Sequence, residues 1–242
     1  MSIHRFCISS NHLAVSPPSD ILLLMHREPF APGEFYHIYN HGVESRDIFS
    51  DEFDTRRFIE SMNIFNSEEP IGSIYEQSFN RELKLGGETA KLKLVNIIAY
   101  CLNPNHFHLL LEQVSEKGIS EFMKRLGGGY TWYFNNRNKR KGNLFQGVFR
   151  SSHVTTNEYL LHVSAYINLN DRVHQLGGET AKLVRSSWEE YTGKVKTPMC
   201  SKDVVLGQFT NKNEYKIYAE DALPIMLDRK KSEREEKYLM IE

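Results

Sequence analysis

Residues 103–112 read NPNHFHLLLE, and this stretch is the most informative feature of the chain. The apolar run at its end and the preceding residues 95–100, VNIIAY, predict two buried strands around a short turn at Asn103-Pro104-Asn105. Residues i and i+2 of a strand share one face. We therefore expect His106 and His108 to project together, while Phe107 points to the opposite face, into a core.

Two imidazoles side by side on a strand supply two of the ligands that a minimal metal site needs. Two ordinary core or surface histidines would give the same spacing, so the His-x-His pattern alone does not decide between the two interpretations. The metal interpretation depends on residues elsewhere in the chain.

Composition limits the classes of protein that the chain can be. With 242 residues, 40% of them hydrophobic, it can bury one substantial core, and its net charge of −1 gives no overall basic signal. The three cysteines, Cys7, Cys101 and Cys200, are odd in number and widely spaced, which argues against a disulfide framework and fits a reducing cytosol. The apolar run 21–25 is too short for a membrane span or a signal peptide, so we expect a soluble, cytoplasmic protein with no membrane partner.

The order of predicted elements indicates an α+β fold. Alternating or apolar runs predict strands at 35–39, 94–101, 107–113 and 144–154, and helical spacing of apolar residues predicts helices at 54–65 and 119–136. Thr155-x-x-Glu158 resembles a capping box that opens a last helix through Leu169. The order β-α-β-β-α-β-α is that of a ferredoxin-like core with an antiparallel sheet, followed by a further helix.

The ends of the chain look different from its centre. Residues 1–30, with Ser-Pro-Pro-Ser at 16–19, predict a disordered N-terminal extension, and Met25 reads as a more natural start. The folded domain is expected to span residues 31–195. Residues 196–242 are more polar and predict a C-terminal tail, most simply a solvated helix.

One octapeptide, LGGETAKL, occurs at 85–92 and again at 176–183. Both copies lie between predicted elements and contain Gly-Gly, so we expect both to be exposed loops. Similar turns would not require eight identical residues, and a chance identity of this length has odds of roughly one in 10⁵. The copies are consistent with translated copies of a short repeated DNA element, since loops tolerate insertions.

The last predicted helix carries two candidate functional residues. Tyr166 and Asn170 are four residues apart and are expected on one helical face. Asn170 can offer an amide oxygen to a cation, and Tyr166 can offer a phenol nucleophile. A divalent cation would help such a weak nucleophile by neutralising charge on a target phosphate. Tyr159 is a rival, because seven residues return to nearly the same face, and most of the 12 tyrosines are expected to be structural.

A local basic stretch runs from residue 119 to residue 154. It contains one acid, Glu121, and seven cations: Lys124, Arg125, Arg137, Lys139, Arg140, Lys141 and Arg150. Cations interleaved with aromatic residues suit single-stranded nucleic acid. The alternative is a solvated basic helix whose aromatic residues face the core, and we expect this alternative to hold for most of the aromatic residues.

An ordered set of motifs resembles the REP-associated tyrosine transposases, a group within the single-tyrosine HUH transposases. The motifs are FYHIYNHG at 35–42, PNHFHLLL at 104–111, LFQGVF at 144–149 and YINLN at 166–170. The resemblance covers about residues 30–193 and implies a ferredoxin-like fold with a further catalytic helix. It implies that His106, His108 and Asn170 bind the metal, Mg²⁺ or Mn²⁺, and that Tyr166 is the nucleophile.

The same resemblance implies metal-dependent cleavage and joining of single-stranded DNA at or near imperfect hairpins, with the tyrosine linked to a 5′ phosphate. This chain has Asn103 where the family often has Met, and Asn168 and Asp171 where the family commonly has His and Pro. These departures remove no predicted catalytic group. The octapeptide copies look like insertions relative to the family.

Two other functions stay open at this stage. One is a domesticated relative that holds hairpin DNA or RNA without cutting it, and the other is a nuclease that uses the metal and water without a tyrosine adduct. The complete set of two histidines, tyrosine and asparagine argues against a pure binder. Both a monomer and a homodimer are compatible with the sequence.

Overall fold

The computed structural model describes residues 29–69, 92–195 and 198–239. The predicted extension therefore lies outside the described residues up to residue 28, as does the octapeptide copy at 85–92 apart from Leu92. The strands are β1 (Phe35–His41), β2 (Val95–Asn103), β3 (His106–Gln113), β4 (Arg150–Val154) and β5 (Arg185–Ser186). The longer helices are α1 (Glu52–Ile64), α2 (Gly118–Arg137), α3 (Asn157–Asn168) and α8 (Lys212–Leu239), and the short helices are α4 (Asn170–Val173), α5 (Gly178–Leu183), α6 (Trp188–Tyr191) and α7 (Asp203–Leu206).

The strands form one antiparallel sheet in the order β4-β1-β3-β2-β5. The first four strands and helices α1 and α2 follow one another as β-α-β-β-α-β, so the predicted ferredoxin-like α+β fold is confirmed. β5 adds a short fifth strand beside β2, which the sequence analysis did not predict.

Each face of the sheet covers a different core because strand side chains alternate. Phe107, Leu109 and Leu111 of β3 are buried on the face that packs against α1 and α2. Leu110, on the opposite face, belongs to a second core that includes residues of α3 and α8. The predicted inward position of Phe107 is confirmed, and His106 and His108 lie on the side of the second core.

The turn between β2 and β3 is tied to the chain that follows β1. The carbonyl of Pro104 accepts hydrogen bonds from the backbone N–H groups of Ile48 and Phe49, at 2.7 and 2.9 Å. The N–H of Gly42 donates to the carbonyl of Asn105 at 2.8 Å. A Cβ at Gly42 would lie only 2.1 Å from the carbonyl oxygen of Arg46, so glycine is needed here for close packing. These bonds fix the strand ends beside His106.

Three predicted boundaries were wrong, each for a local reason. The strand predicted at 144–154 begins only at Arg150, because Gly147 adopts φ +68° and Phe145 forms an isolated bridge to Gly42. The side-chain cap of α3 is Thr156, whose hydroxyl accepts from the N–H of Tyr159, and not Thr155. The helix ends at Asn168 instead of continuing through Leu169.

The second octapeptide copy is a further correction. Residues 176–183 were expected to form a loop, but Gly178–Leu183 forms helix α5. Glu179 stands in its first turn and pairs with Lys182, an i, i+3 spacing that fits a helix. None of the residues of α5 is buried, but Leu176, Ala181 and Leu183 of this copy are only partly exposed.

The C-terminal segment is helical, as predicted, and one face of α8 is packed. Tyr215, Ala219 and Met226 are buried in the second core, so this part of α8 is not the solvated helix expected from composition. The hydroxyl of Tyr215 accepts a hydrogen bond from the Asn168 amide at 2.8 Å. The tail thus packs against the end of α3.

Arg137 is predicted to stabilise the fold, because its guanidinium pairs with Asp51 and with the fully buried carboxylate of Asp54. Arg137→Gln should lower the free energy of unfolding by about 1–3 kcal/mol, since Asp54 would lose its charged partner. Urea denaturation measures this loss. The matched control, Lys139→Gln, changes an exposed cation of the same basic stretch and should stay within about 0.5 kcal/mol of the parent. Equal stability of the two variants would contradict the structural role of Arg137.

Candidate metal and tyrosine site

The register between β1 and β3 builds one wall of the site. His41 lies opposite His106, and Tyr39 lies opposite His108. The imidazoles of His41 and His106 stack with ring centroids 5.1 Å apart, and the rings of Tyr39 and His108 are 5.7 Å apart. His37, two residues before Tyr39, shares their face. The sheet therefore presents a cluster of imidazoles, of which the sequence analysis had identified only His106 and His108.

The orientation of His106 is set by two asparagines. Its Nδ1 is 2.6 Å from Oδ1 of Asn105, and its Nε2 is 2.8 Å from Nδ2 of Asn103. An amide oxygen only accepts, so Nδ1 carries the proton and donates to Asn105. The lone pair is then on Nε2, which is the state that a metal ligand requires.

His108 is oriented by His37. Nδ1 of His108 and Nε2 of His37 are 2.8 Å apart, so one of the two nitrogens donates to the other. When Nδ1–H of His108 is the donor, Nε2 of His108 has a free lone pair. His37 then acts as the hydrogen-bond acceptor that holds a metal-ligating histidine in its tautomer.

A third histidine completes a possible ligand set. Ring nitrogens of His106, His108 and His174 all lie within 4.8 Å of one another, so these residues could hold a metal ion. His174 follows α4 and is four residues after Asn170. The sequence analysis missed His174, although its i+4 spacing from a predicted ligand was a usable signal.

Asn170 and Tyr166 reach the same cluster, but not along one continuous helix. α3 ends at Asn168, and Asn170 begins α4 after the break at Leu169, so the predicted continuous helix through both residues is wrong. Oδ1 of Asn170 accepts from Nδ2 of Asn103 at 2.6 Å, which places it beside His106. The amide nitrogen of Asn170 is buried without a hydrogen-bond partner in the described part of the chain.

The ring of Tyr166 packs edge-on against two of the histidines. Its centroid is 5.7 Å from that of His108 and 6.1 Å from that of His37. The rival Tyr159 lies two turns earlier on α3 and keeps 38% of its surface exposed. Burial raises the pKa of Tyr159. Among the two candidates, Tyr166 has the ring contacts with the histidine cluster.

Burial keeps the clustered histidines neutral. It lowers the pKa of His37 to about 4 and that of His106 to about 3, and it holds the pKa of His108 well below the ordinary value. The neighbouring His174 and His41 lower the pKa of His106 further. Neutral imidazoles retain the lone pairs that metal binding needs.

The seven cations of the basic stretch divide into two groups. Arg125 bonds to Glu121 and to the carbonyl of Ser67, Arg137 pairs with Asp51 and Asp54, and Arg140 bonds to Asn135 and to the carbonyl of Asn143. The exposed group consists of Lys124, which also lies 3.5 Å from Glu121, with Lys139, Lys141 and Arg150. Tyr130 and Phe134 are buried, as the core interpretation of the aromatic residues expected.

An open groove of about 720 Å³ has one of these cations, Lys124, in its lining. The face of α2 that it exposes includes Gly127 and Gly128, where a Cβ would meet no atom within 4 Å. Lys124, Trp132 and Phe149 also line the groove. It therefore combines open space over a helix with a cation and aromatic side chains.

Residues 74–170 match the model of a family described as IS200-like transposases. The matched segment contains His106, His108, Tyr166 and Asn170. A solved structure of a REP-associated tyrosine transposase bound to a REP hairpin is similar at 12% identity, with a TM-score of 0.45, over 72% of this chain and 88% of that one. None of the curated proteins matches the chain.

No helix in the described ranges combines the length and the apolar character needed to cross a membrane.

The low pKa of His37 predicts a pH-dependent stability. Folded His37 stays neutral down to about pH 4, whereas the unfolded chain binds this proton near pH 6.5. The unfolded state therefore binds more protons between these values, and the free energy of unfolding falls as pH is lowered from 6.5 to 4. Each such group contributes up to about 1.4 kcal/mol per pH unit.

Urea denaturation in the presence of EDTA, at several pH values between 4.5 and 7, measures this effect. His37→Gln keeps a hydrogen-bonding side chain but removes one titrating imidazole, so its stability should fall less steeply with decreasing pH. Parallel curves for the variant and its parent would contradict the assignment.

Proposed function

We propose that this chain, of which residues 74–170 match the family model of IS200-like transposases, is a metal-dependent transposase of single-stranded DNA. Its substrate would be DNA with hairpin structure of the REP type, which it would cleave and rejoin through a 5′-phosphotyrosine intermediate. The observation that carries the proposal is the packing of Tyr166 against His108 and His37, within one cluster with His106, His174 and Asn170.

The donor set fits a divalent cation. Nε2 of His106 and Oδ1 of Asn170 both face Nδ2 of Asn103, so their lone pairs converge on one small region. His106, His108 and Asn170 would hold the ion, with His174 as a further nitrogen donor. This nitrogen-rich set favours Mn²⁺ over Mg²⁺, because Mg²⁺ prefers oxygen ligands. When bound, the cation would withdraw electron density from the target phosphate and neutralise developing charge.

Tyr166 would supply the nucleophile for transesterification. A bond forms between its phenolic oxygen and phosphorus, and the bond from phosphorus to the 3′ oxygen breaks. The phenol loses its proton and the departing 3′ oxygen gains one. The sheet and α3 carry the reacting groups, so they are held on rigid elements, as efficient positioning requires.

The exposed cations would bind the DNA backbone. Lys124, Lys139, Lys141 and Arg150 face water, and Lys124 shares the groove along α2 with Trp132. Unpaired bases stack on aromatic side chains while neighbouring cations contact phosphates. Arg125, Arg137 and Arg140 remain proposed contacts, but each already bonds to the protein itself.

A denaturing gel of the protein with labelled, hairpin-bearing single strands and Mn²⁺ tests the reaction. We expect a covalent adduct that Tyr166→Phe abolishes and Tyr159→Phe retains, because only the Tyr166 hydroxyl would attack the phosphate. The reverse result would reassign the nucleophile. A free 5′ phosphate without an adduct would instead indicate hydrolysis by water, and binding without any cleavage would indicate a pure binder.

The salt dependence of binding tests the basic surface. Neutralising Lys139 and Lys141 together should weaken binding to unrelated single strands. It should also reduce the slope of log K against log salt by about 1.4, since each single-strand phosphate contact contributes about 0.7. The double variant Lys182→Gln with Lys194→Gln removes as many exposed charges outside this stretch and should keep the parent slope. An unchanged slope in the first variant would leave the two lysines as solvated charges.

A further inference from the structure

Asn103 is the last residue of β2 and is fully buried beside the proposed metal site. Its amide nitrogen is 2.8 Å from Nε2 of His106 and 2.6 Å from Oδ1 of Asn170. Both hydrogens of this NH₂ group are thus directed at the two atoms that would bind the cation. The amide oxygen of Asn103 faces Sγ of Cys101, a weak donor, at 3.6 Å.

The spacing of these atoms is that of ligands around one ion. Metal bonds of about 2.0–2.2 Å place neighbouring ligand atoms of an octahedral shell roughly 3 Å apart. The amide group of Asn103 already lies close to this distance from two ligand atoms. A cation bound to Nε2 of His106 and Oδ1 of Asn170 would therefore lie next to the Asn103 amide.

An N–H group cannot face a cation, but a carboxamide has a second orientation. A half-turn about χ2 exchanges Nδ2 and Oδ1, which occupy nearly the same volume. The oxygen then points to the site, and the NH₂ group points to Cys101. Since the thiol is a weak hydrogen-bond partner in either orientation, little is lost on that side.

The amide of Asn170 provides an independent sign that this region is arranged for a ligand. Its side chain is fully buried, and its nitrogen has no hydrogen-bond partner among the described residues. Burying an NH₂ group without a hydrogen-bond partner costs free energy. The orientation of the Asn170 amide must therefore be stabilised by the partner of its oxygen. Without an ion, that oxygen is satisfied by Asn103.

We propose that Asn103 is an additional ligand of the divalent cation. It satisfies His106 and Asn170 as a hydrogen-bond donor when no ion is bound, and it turns its amide oxygen to the ion when one binds. This inference rests on the metal site of the proposed function. It assigns a role to a residue that differs from the methionine common at this position in the resembling family.

Titration of the full-length protein with Mn²⁺ alone, followed by calorimetry and by the electron paramagnetic resonance signal of free Mn²⁺, tests the assignment. Asn103→Leu has a similar shape but no ligand atom, and it should bind Mn²⁺ at least about tenfold more weakly. Asn103→Asp supplies a carboxylate oxygen and should bind at least as tightly as the parent. Asn96→Leu, an asparagine substitution seven residues earlier on β2, should leave binding unchanged.

The direction in which Asn103→Leu changes the affinity for Mn²⁺ distinguishes a ligand from an obstacle. Were Asn103 only an obstacle that the ion must displace, Asn103→Leu would bind Mn²⁺ as tightly as the parent or more tightly, and the proposal would be overturned. Weaker binding by Asn103→Asp than by Asn103→Leu would overturn it too. If the parent itself binds no Mn²⁺, the metal site of the proposed function fails and the role of Asn103 falls with it.

A crystal structure of the unaltered protein with Mn²⁺, located by its anomalous signal, decides the matter even if Asn103→Leu does not fold. The expected result is Oδ1 of Asn103 at roughly 2.2 Å from the ion. An Asn103 amide that keeps its nitrogen on His106, outside the coordination shell, would overturn the proposal.

Discussion

The antiparallel register of β1 and β3 is the constraint on which the rest of the site depends. It pairs His41 with His106 and Tyr39 with His108, so that side chains from two strands share one face. A slip of one residue would turn the imidazoles towards the core beneath α1 and α2 and would place Phe107 on the opposite face of the sheet. The apolar residues of β3 on the opposite face and the hydrogen bonds to the Pro104 carbonyl both oppose such a slip.

Burial of this polar face has a consequence for charge. Protonated imidazoles packed this closely would repel one another and would lack hydration, so burial lowers their pKa values and the folded protein holds them neutral. Each neutral ring still needs a defined tautomer, and Asn105 and His37 supply the hydrogen-bond partners for His106 and His108. The burial that is predicted to make the fold sensitive to acid thus also leaves lone pairs that could bind a cation.

The sequence predicted features that depend on local periodicity, and it missed those created by tertiary contacts. The shared face of His106 and His108 follows from the two-residue period of a strand, and the ferredoxin-like order follows from element types alone. His174 stands four residues after the predicted ligand Asn170, but the separate helix α4 that connects the two residues was not predicted. The packed face of α8 was missed because Tyr215 and Ala219 lie in a segment of polar composition.

The position of Asn170 follows from the contacts around the end of α3. It is not set by helical spacing from Tyr166, because α3 ends two residues earlier. The amide of Asn168 instead accepts a hydrogen bond from Ser187 at 2.6 Å and donates one to Tyr215 at 2.8 Å. Ser187 is in turn bonded to the backbone of Tyr100 in β2, so the end of α3 is fixed to the sheet and to α8 together.

This buried network explains how the chain accommodates an asparagine at position 168, where the resembling family commonly has histidine. A satisfied buried amide rigidifies the segment that contains it, because breaking any one bond leaves a partner unpaired in a region of low polarity. Leu169 follows directly after Asn168 and is fully buried in the second core. Its burial stabilises the break between α3 and α4. Asn170 therefore reaches the histidine cluster through contacts made by residues far apart in sequence. Helix α8 is structurally coupled to the site, although none of the proposed ligands lies on it.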